Sequence, residues 1–200
     1  AYRGWQMMTN GVSEILYRYY FYPTTGTMAV GPMMIDGREY VFDNQGRLQE
    51  KVRLGIDVSK YQGYIDWTAV RASGVQFAMI RVLGYNKEKN SYAVDPNFID
   101  NVQRALDAGI QVGVYLYSYA FNDKEIAQEI NFILPTLNQY KDRIVYPVYI
   151  DYEDPKLVDG VSSNEERTNV LRAGMNTLQQ QGYLSGFYTY YNFAKNLINT

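Results

Sequence analysis

Two carboxylates at the end of an apolar segment are the first residues of this sequence that could do chemistry. In "YIDYEDPK" (149–156), Asp151 and Glu153 stand two positions apart, directly after the apolar run 144–150. Because side chains alternate along a strand, both carboxylates are expected on one face, roughly 6.5 to 7 Å apart at the backbone. Carboxylate pairs about 5 to 9.5 Å apart hydrolyse glycosidic bonds. The spacing predicts such an acid pair, with a role in structural ion pairs as the alternative.

The composition excludes most other catalytic classes. The sequence contains no His and no Cys, which excludes Ser–His–Asp triads, thiol nucleophiles, disulfides and metal sites built from these residues. Acid–base chemistry is left to carboxylates, Tyr and Lys. A net charge of −2 gives no electrostatic basis for binding nucleic acid or an anionic membrane. We therefore predict neither of these partners, and no metal or cofactor.

Tyrosine is present in excess, with 21 Tyr against two Trp. A Tyr ring offers a flat apolar face and a hydroxyl group, which suits the binding of sugar rings. The same residue is also favoured on half-buried β surfaces. Composition alone does not separate these two roles.

Residues 54–200 alternate short apolar strands with helices that carry clear start signals. Asp66, Asn122 and Ser163 are predicted N-caps, and Asp95, followed by Pro96, is predicted to cap the helix in "DPNFIDNVQRALDAG". Five strand–helix units in a row predict a parallel sheet with right-handed crossovers, either an open doubly wound sheet or a barrel.

The polar candidates fall at the carboxyl ends of these strands, where barrel enzymes place their chemistry. Taken alone, Asp57 fits a structural role, and Asp154 before Pro155 fits a turn. Their convergence on one rim is stronger than any single motif. In strand order the candidates are Asp57, Arg81, Tyr117, Tyr119, Asp151, Glu153, Tyr188 and Tyr190.

Residues 1–50 have a different pattern. "YYFYPTTGTM" (19–28) and "YVFDNQGRL" (40–48) share an aromatic residue, a Phe, a polar turn with Gly and an apolar residue. The period of about 20 residues suits one β-hairpin per repeat. A single twisted hairpin packed on the main domain is the alternative.

Four segments resemble, in order and spacing, the glycoside hydrolase family 25 lysozymes (muramidases): "GIDVSKYQGYIDW", "DPNFIDNVQRALDAGI", "VGVYLYSYA" and "YIDYED". The resemblance covers about residues 54–200 and implies cleavage of the β-1,4 bond between N-acetylmuramic acid and N-acetylglucosamine in peptidoglycan. It implies a TIM-like (β/α) barrel of five units followed by three strands. It also implies Glu153 as acid/base, Asp151 as its partner and Asp57 as a supporting carboxylate.

The end of the sequence raises an expectation about this barrel. "NFAKNLINT" (192–200) follows the fifth predicted strand directly. We expect a barrel without its last strands, and weak or no activity of these 200 residues alone. We also expect a secreted or wall-associated protein, although the opening residues lack the features of a secretion signal.

Residues 1–50 resemble the cell-wall-binding repeats that accompany such enzymes, the choline-binding type included. Trp5, Tyr20 and Tyr40 are the candidate ligand contacts. Choline cages use several Trp per pair of repeats, whereas Trp5 is the one Trp in this region and Pro32 stands in "VGPMM" where Gly-Trp is usual. Choline, another wall glycan and a purely structural role all stay open.

The resemblance leaves the route of hydrolysis open. A direct nucleophile needs carboxyl groups about 5–5.5 Å apart and inversion about 6.5–9.5 Å, while an N-acetyl sugar also permits attack by its own acetamide. We expect the charge of Asp151 to raise the pKa of Glu153, and Arg81 to keep Asp151 ionised.

Two rival functions accompany this reading. One is a non-catalytic wall protein whose Tyr-rich rim holds peptidoglycan strands without cutting them. The other is a chitinase-like glycosidase, which is disfavoured because its additional acids correspond here to Pro147 and Tyr149.

Overall fold

The structure is a computed structural model that describes residues 2–9, 16–49, 53–86, 91–157 and 163–199. It divides into two compact units, Ala1–Val52 and Arg53–Thr200. Within the described ranges, no helix is long and apolar enough to cross a membrane.

The first unit is built from two antiparallel strand pairs. β1 (Gly4–Thr9) pairs with β2 (Leu16–Phe21), and β3 (Gly31–Ile35) pairs with β4 (Arg38–Phe42). After each pair the chain turns back through an isolated bridge, Phe21 with Met28 and Phe42 with Leu48. The two similar sequence segments therefore have the same local structure.

Glycine is required in the second of these turns. Gly46 has a φ of +74°, and a Cβ atom there would collide with the Met28 side chain of the other turn. Residues of both strand pairs form one small core around the buried Ala29, Ile35 and Phe42.

The second unit contains a sheet of five parallel strands and one antiparallel strand. The parallel strands are β5 (Gly55–Val58), β6 (Phe77–Asn86), β8 (Gln111–Tyr117), β9 (Ile144–Asp151) and β10 (Ser185–Tyr188). They lie side by side in chain order, and β7 (Ser91–Val94) pairs with the end of β6.

This strand order decides between the two predicted architectures. A doubly wound sheet reverses its strand order part-way, whereas here the order β5-β6-β8-β9-β10 never reverses. Right-handed crossovers then bring every connecting helix to the same face, as in a barrel. Among the described residues β5 and β10 are not paired with each other, so the winding is that of a barrel while the sheet is open.

The helices begin largely where the sequence predicts. Asp66, Asn122 and Ser163 each accept backbone hydrogen bonds from the first turn of the helix that follows. The bounds are η1 (Lys60–Gln62), α1 (Trp67–Ala72), α2 (Phe98–Asp107), α3 (Asp123–Leu137), η2 (Asn138–Tyr140), α4 (Asn164–Gln180) and α5 (Tyr191–Leu197).

The structure refines the predicted cap at Asp95. Helix α2 begins at Phe98 with Asn97 in the N-cap position, and Asn97 makes no side-chain cap bond. Asp95 Oδ1 accepts the Asn97 backbone N–H at 3.0 Å and Asp95 O accepts the Phe98 N–H at 2.9 Å. The other carboxylate oxygen of Asp95 accepts from Arg81, so the same acid binds the start of the helix and a buried cation.

The two faces of the parallel sheet have opposite character. Residues such as Ile80, Val114 and Ile150 are fully buried and belong to the main core of the unit. The alternating residues, such as Arg81, Tyr115 and Asp151, lie on the other face because side chains alternate along a strand. This second face, called the inner face below, carries the polar candidates.

Candidate active site

Strand register brings the predicted site residues into neighbouring rows of the inner face. At the carboxyl end of β9, Asp151 lies between Tyr117 of β8 and Tyr188 of β10. One row deeper, Arg81 and Tyr115 are partners. One row deeper again is Asp57, opposite Met79. Strand register therefore brings Asp57, Arg81 and Asp151 to one face of the sheet in three successive rows, rather than to a single rim.

Asp151 is buried and makes no ion pair with another described residue. It is 8% exposed, and its Oδ1 atom has no hydrogen-bond partner among the described residues. Burial, together with the nearby charges of Glu153 and Asp57, raises the pKa of Asp151 to about 7 against the opposing effect of Arg81. Asp151 therefore changes its protonation near neutral pH, contrary to the expectation that Arg81 keeps it ionised.

Glu153 follows two residues after the end of β9 and is half-buried. Burial raises the pKa of Glu153, whereas a hydrogen bond from the Tyr190 hydroxyl lowers it. The Oε2 atom of Glu153 has no hydrogen-bond partner among the described residues. The charge of Glu153 also raises the pKa of Asp151, so the protonation of Asp151 depends on that of Glu153.

Arg81, which was expected to keep Asp151 ionised, forms its ion pair with Asp95. Arg81 donates from Nε and Nη2 to Asp95 Oδ2, at 2.8 Å and 2.6 Å. Both side chains are buried. The same Oδ2 accepts the Lys60 backbone N–H at 3.0 Å, and the Oδ1 of Asp95 accepts that of Asn97 at 3.0 Å.

Sequence reasoning missed Asp95 although one signal was available. An Arg inside a buried strand needs a carboxylate partner, and Arg81 lies in the apolar segment "FAMIRVL". Asp95 follows the short strand β7, which pairs with β6. The antiparallel pairing of β7 brings the acid back to Arg81.

The first βα loop is held in a fixed shape beside the site. Gln62 Oε1 accepts the Ser59 backbone N–H at 2.8 Å, and Ser59 Oγ accepts the Tyr61 backbone N–H at 3.3 Å. The Arg81 guanidinium carbon lies 5.0 Å from the centre of the Tyr61 ring. Asp57, which precedes this loop, is exposed.

Tyrosines surround the carboxylates. Tyr117 and Tyr119 are half-buried and in ring contact, with centroids 5.1 Å apart, whereas Tyr188 and Tyr190 are exposed. Burial raises the pKa of Tyr115 to about 12, so this residue, which the sequence prediction omitted, stays neutral and can donate a hydrogen bond. A flat, uncharged aromatic rim of this kind suits a carbohydrate.

A buried acid behind the rim was also missed. Glu129 of α3 is fully buried, its Oε1 accepts the Tyr119 backbone N–H at 2.7 Å, and the Ser118 hydroxyl also hydrogen-bonds to it. The Ser118 backbone N–H in turn donates to Asp151 O at 2.9 Å. Glu129 thereby anchors the loop that joins the Tyr rim to the end of β9.

Glu129 makes the stability of the fold depend on pH. Burial raises its pKa from 4.5 to about 7, so the folded state holds this proton more tightly than the unfolded chain. The contribution is fully present below about pH 4.5 and is lost as pH rises towards 7, by about 3 kcal/mol. We expect the Glu129→Gln variant to lose less free energy of unfolding than the wild-type protein when the pH rises from 5 to 8. The measurement is urea unfolding of both proteins at the two pH values.

Glu165→Gln is the matched control, because Glu165 is an exposed acid in the first turn of α4 and is not among the charges that act on Glu129. It should keep the wild-type dependence on pH. An unchanged pH dependence in Glu129→Gln would contradict the assignment to Glu129.

The candidate wall-binding residues of the first unit are brought together by packing. The Trp5 ring contacts Tyr20 and Tyr40 at centroid distances of 5.2 Å and 4.9 Å, both edge to face. The Arg18 guanidinium lies 4.7 Å from the centre of the Trp5 ring. All three aromatic residues pack against the small core, so the structure gives them a role in packing.

This arrangement leads to a prediction about choline. Because a cation of the protein already lies over Trp5, we expect millimolar choline to leave the Trp fluorescence unchanged. Arg18→Ala tests the reason: it should open the ring face and permit a weak response. Saturable quenching of the wild-type protein by choline would contradict this prediction.

Most of the chain matches a known protein family. The sequence profile of glycosyl hydrolases family 25 matches residues 56–200, which include the whole parallel sheet except its first residue. The chain belongs to this family. In the family 25 chain, no group of three or more acidic side chains arranged to hold a metal ion occurs within the described ranges.

Individual relatives agree with the assignment to family 25. Lysozyme M1 of Streptomyces globisporus is 27% identical over 137 residues, which are 68% of this chain and 41% of that protein. The structure of the autolysin LytC of Streptococcus pneumoniae in complex with a synthetic peptidoglycan ligand has a TM-score of 0.62 at 24% identity. The match covers 95% of this chain and 45% of the LytC chain. A family 25 glycosyl hydrolase of Bacillus anthracis has a TM-score of 0.57 at 23% identity and covers 75% of this chain and 66% of its own.

The structural matches, at 23% and 24% identity, establish the fold. The chain spans about 41% of the length of Lysozyme M1 and 45% of the LytC chain.

Proposed function

We propose that this chain carries the catalytic carboxylates of a peptidoglycan hydrolase that cleaves the β-1,4 bond between N-acetylmuramic acid and N-acetylglucosamine. The observation that supports this most strongly is the pair Asp151 and Glu153 at the carboxyl end of β9, where burial raises the pKa of both acids. The Tyr-rich rim and the peptidoglycan ligand bound to LytC support a glycan substrate.

Glu153 is the acid/base of the proposed reaction. It is more exposed than Asp151, so it is the acid of the pair that can reach the glycosidic oxygen. In the first step Glu153 protonates the leaving oxygen as the bond from that oxygen to C1 breaks. In the second step the ionised Glu153 takes a proton from the water that attacks C1, as the bond that the acetamide oxygen of the substrate formed to C1 in the first step breaks.

Asp151 is the partner carboxylate. As a carboxylate, Asp151 can accept a hydrogen bond from the acetamide N–H of the substrate while the acetamide oxygen forms a bond to C1. This role requires the ionised form, which Asp151 adopts as the pH rises through about 7. The hydrogen bond strengthens because the N–H becomes more acidic as positive charge develops on the sugar. Asp57, two rows deeper, supports the pair by its charge.

The proposal also assigns the residues that bind the glycan strand and the place where the protein acts. Arg81, Tyr117, Tyr119, Tyr188 and Tyr190 hold the glycan strand or shape the cleft around it. The first unit contacts the wall through glycan rather than choline, in agreement with the packing of Trp5. The protein acts outside the cell or at the wall, where its substrate is.

Loss of turbidity of purified peptidoglycan tests the proposed function. We expect the chain to clear the suspension at a rate proportional to protein concentration, with enough protein added to detect weak activity. Binding to the sediment without any clearing would instead support the non-catalytic wall protein, and neither binding nor clearing would reject the glycan substrate.

A further inference from the structure

Asp95 hydrogen-bonds to two separate parts of the site, the Arg81 side chain on β6 and the backbone of the first βα loop at Lys60. Its Oδ2 accepts both Arg81 and the Lys60 backbone N–H of the first βα loop, and its Oδ1 accepts the Asn97 backbone N–H. Asp95 is 2% exposed and Arg81 is 8% exposed. At this depth an ion pair is weakly screened by solvent.

Arg81 is the cation that acts on Asp151. It lies on the inner face, in the row of Tyr115 and Tyr149 that is directly below Asp151. It makes its short ion pair with Asp95, and Asp151 has no ion pair among the described residues. The other titratable groups that face Asp151 are acids or phenols: Glu153, Asp57, Tyr115, Tyr117, Tyr188 and Tyr190.

We propose that Asp95 is a positioning residue of the carboxylate site, which holds the Arg81 guanidinium and the Lys60 loop in place and cancels the positive charge that would otherwise act on Asp151. Asp95 reaches Asp151 through Arg81 and does not touch the substrate. The catalytic consequence rests on the proposed function, whereas the electrostatic consequence does not.

Two substitutions separate this role from a general contribution to packing. Asp95→Asn keeps the shape of the side chain and one oxygen acceptor but removes the negative charge, so the Arg81 charge acts uncancelled on Asp151. An opposite charge favours the ionised form of a carboxyl group, and we expect Asp151 to bind its proton about tenfold more weakly. Arg81→Met removes the cation and leaves the Asp95 charge, so Asp151 should bind its proton more tightly.

The experiment is a pH titration of the full chain, labelled with ¹³C at the Asp carboxyl carbons and followed by NMR. The Asp151 signal is identified by its loss in Asp151→Asn. We expect its midpoint to fall in Asp95→Asn, to rise in Arg81→Met, and to stay in place in Asp100→Asn, which removes an exposed ion pair with Arg104 at 3.2 Å.

Opposite shifts in the two variants support the proposal. No shift, or shifts in the same direction, would overturn it, because loss of packing alone has no reason to change sign with the charge removed. If Asp95→Asn does not fold, the double variant Asp95→Asn/Arg81→Met, which leaves neither charge unpaired, replaces it: its midpoint should lie below that of Arg81→Met, and an equal or higher midpoint would overturn the proposal. The titration needs no activity, so failure of the turbidity assay would reject the proposed function and leave this result standing.

Discussion

Replacing Glu153 by Gln is expected to slow the clearing of peptidoglycan at least 10²-fold. Gln has nearly the same shape as Glu but cannot protonate the leaving oxygen, and the loss of one general acid costs about this much. Because Glu153 is half-buried at the rim and has an unpartnered oxygen, the substitution should leave the melting temperature and sedimentation with peptidoglycan nearly unchanged. The measurement is the ratio of initial clearing rates at equal protein concentration.

Asp154→Asn is the control for this effect. Asp154 lies next to Glu153, but its Oδ1 accepts the Lys156 backbone N–H at 2.9 Å, which identifies it as a turn residue. The Asp154→Asn variant should clear peptidoglycan at nearly the wild-type rate. Clearing by Glu153→Gln at that same rate would remove Glu153 from the mechanism.

Asp151→Asn is expected to lose activity and to gain stability at pH 8. The activity should fall by about 10²-fold, because the partner carboxylate is removed. The stability should rise because the folded state raises the pKa of Asp151 from 3.8 to about 7. A carboxyl group with a raised pKa stabilises the fold only while protonated, and this contribution is lost as pH rises from about 4 to 7.

This combination distinguishes a functional acid from a structural ion pair. A carboxylate that served an ion pair would lower the melting temperature when it was replaced, since its partner would be left uncompensated. We expect Asp57→Asn to be milder in activity, because Asp57 acts on the pair by its charge from a deeper row. Full activity of Asp151→Asn together with a lower melting temperature at pH 8 would show that Asp151 is structural.

The position of Asp151 could be predicted because it depends on local alternation: it is the last residue of β9 and lies in one row with Tyr117. Glu153 lies two residues beyond the end of β9, where strand alternation no longer fixes the direction of its side chain. The choice between a barrel and a doubly wound sheet could not be made in this way. It depends on which strands are neighbours, and the unreversed order from β5 to β10 became visible only in the structure.

The electrostatics of the site depended on contacts that no local pattern contains. Asp95 before Pro96 has the features of a helix cap, and the same acid satisfies a buried Arg81 from the antiparallel strand β7. That strand was not predicted, because "SYAV" is short and lies between a longer strand and a helix. Burial and the charges of Glu153 and Asp57 raise the pKa of Asp151 against the effect of Arg81, whereas the sequence alone suggested that Arg81 keeps Asp151 ionised.

The most direct test of the account is the identity of the sugar at the new reducing ends. Purified peptidoglycan is digested with the protein, the soluble fragments are reduced with borohydride, and the reduced amino sugars are identified by mass spectrometry after hydrolysis. The account predicts reduced N-acetylmuramic acid, formed by the wild-type protein and at least 10²-fold more slowly by Glu153→Gln. Reduced N-acetylglucosamine as the product, or equal yields from the two proteins, would contradict it.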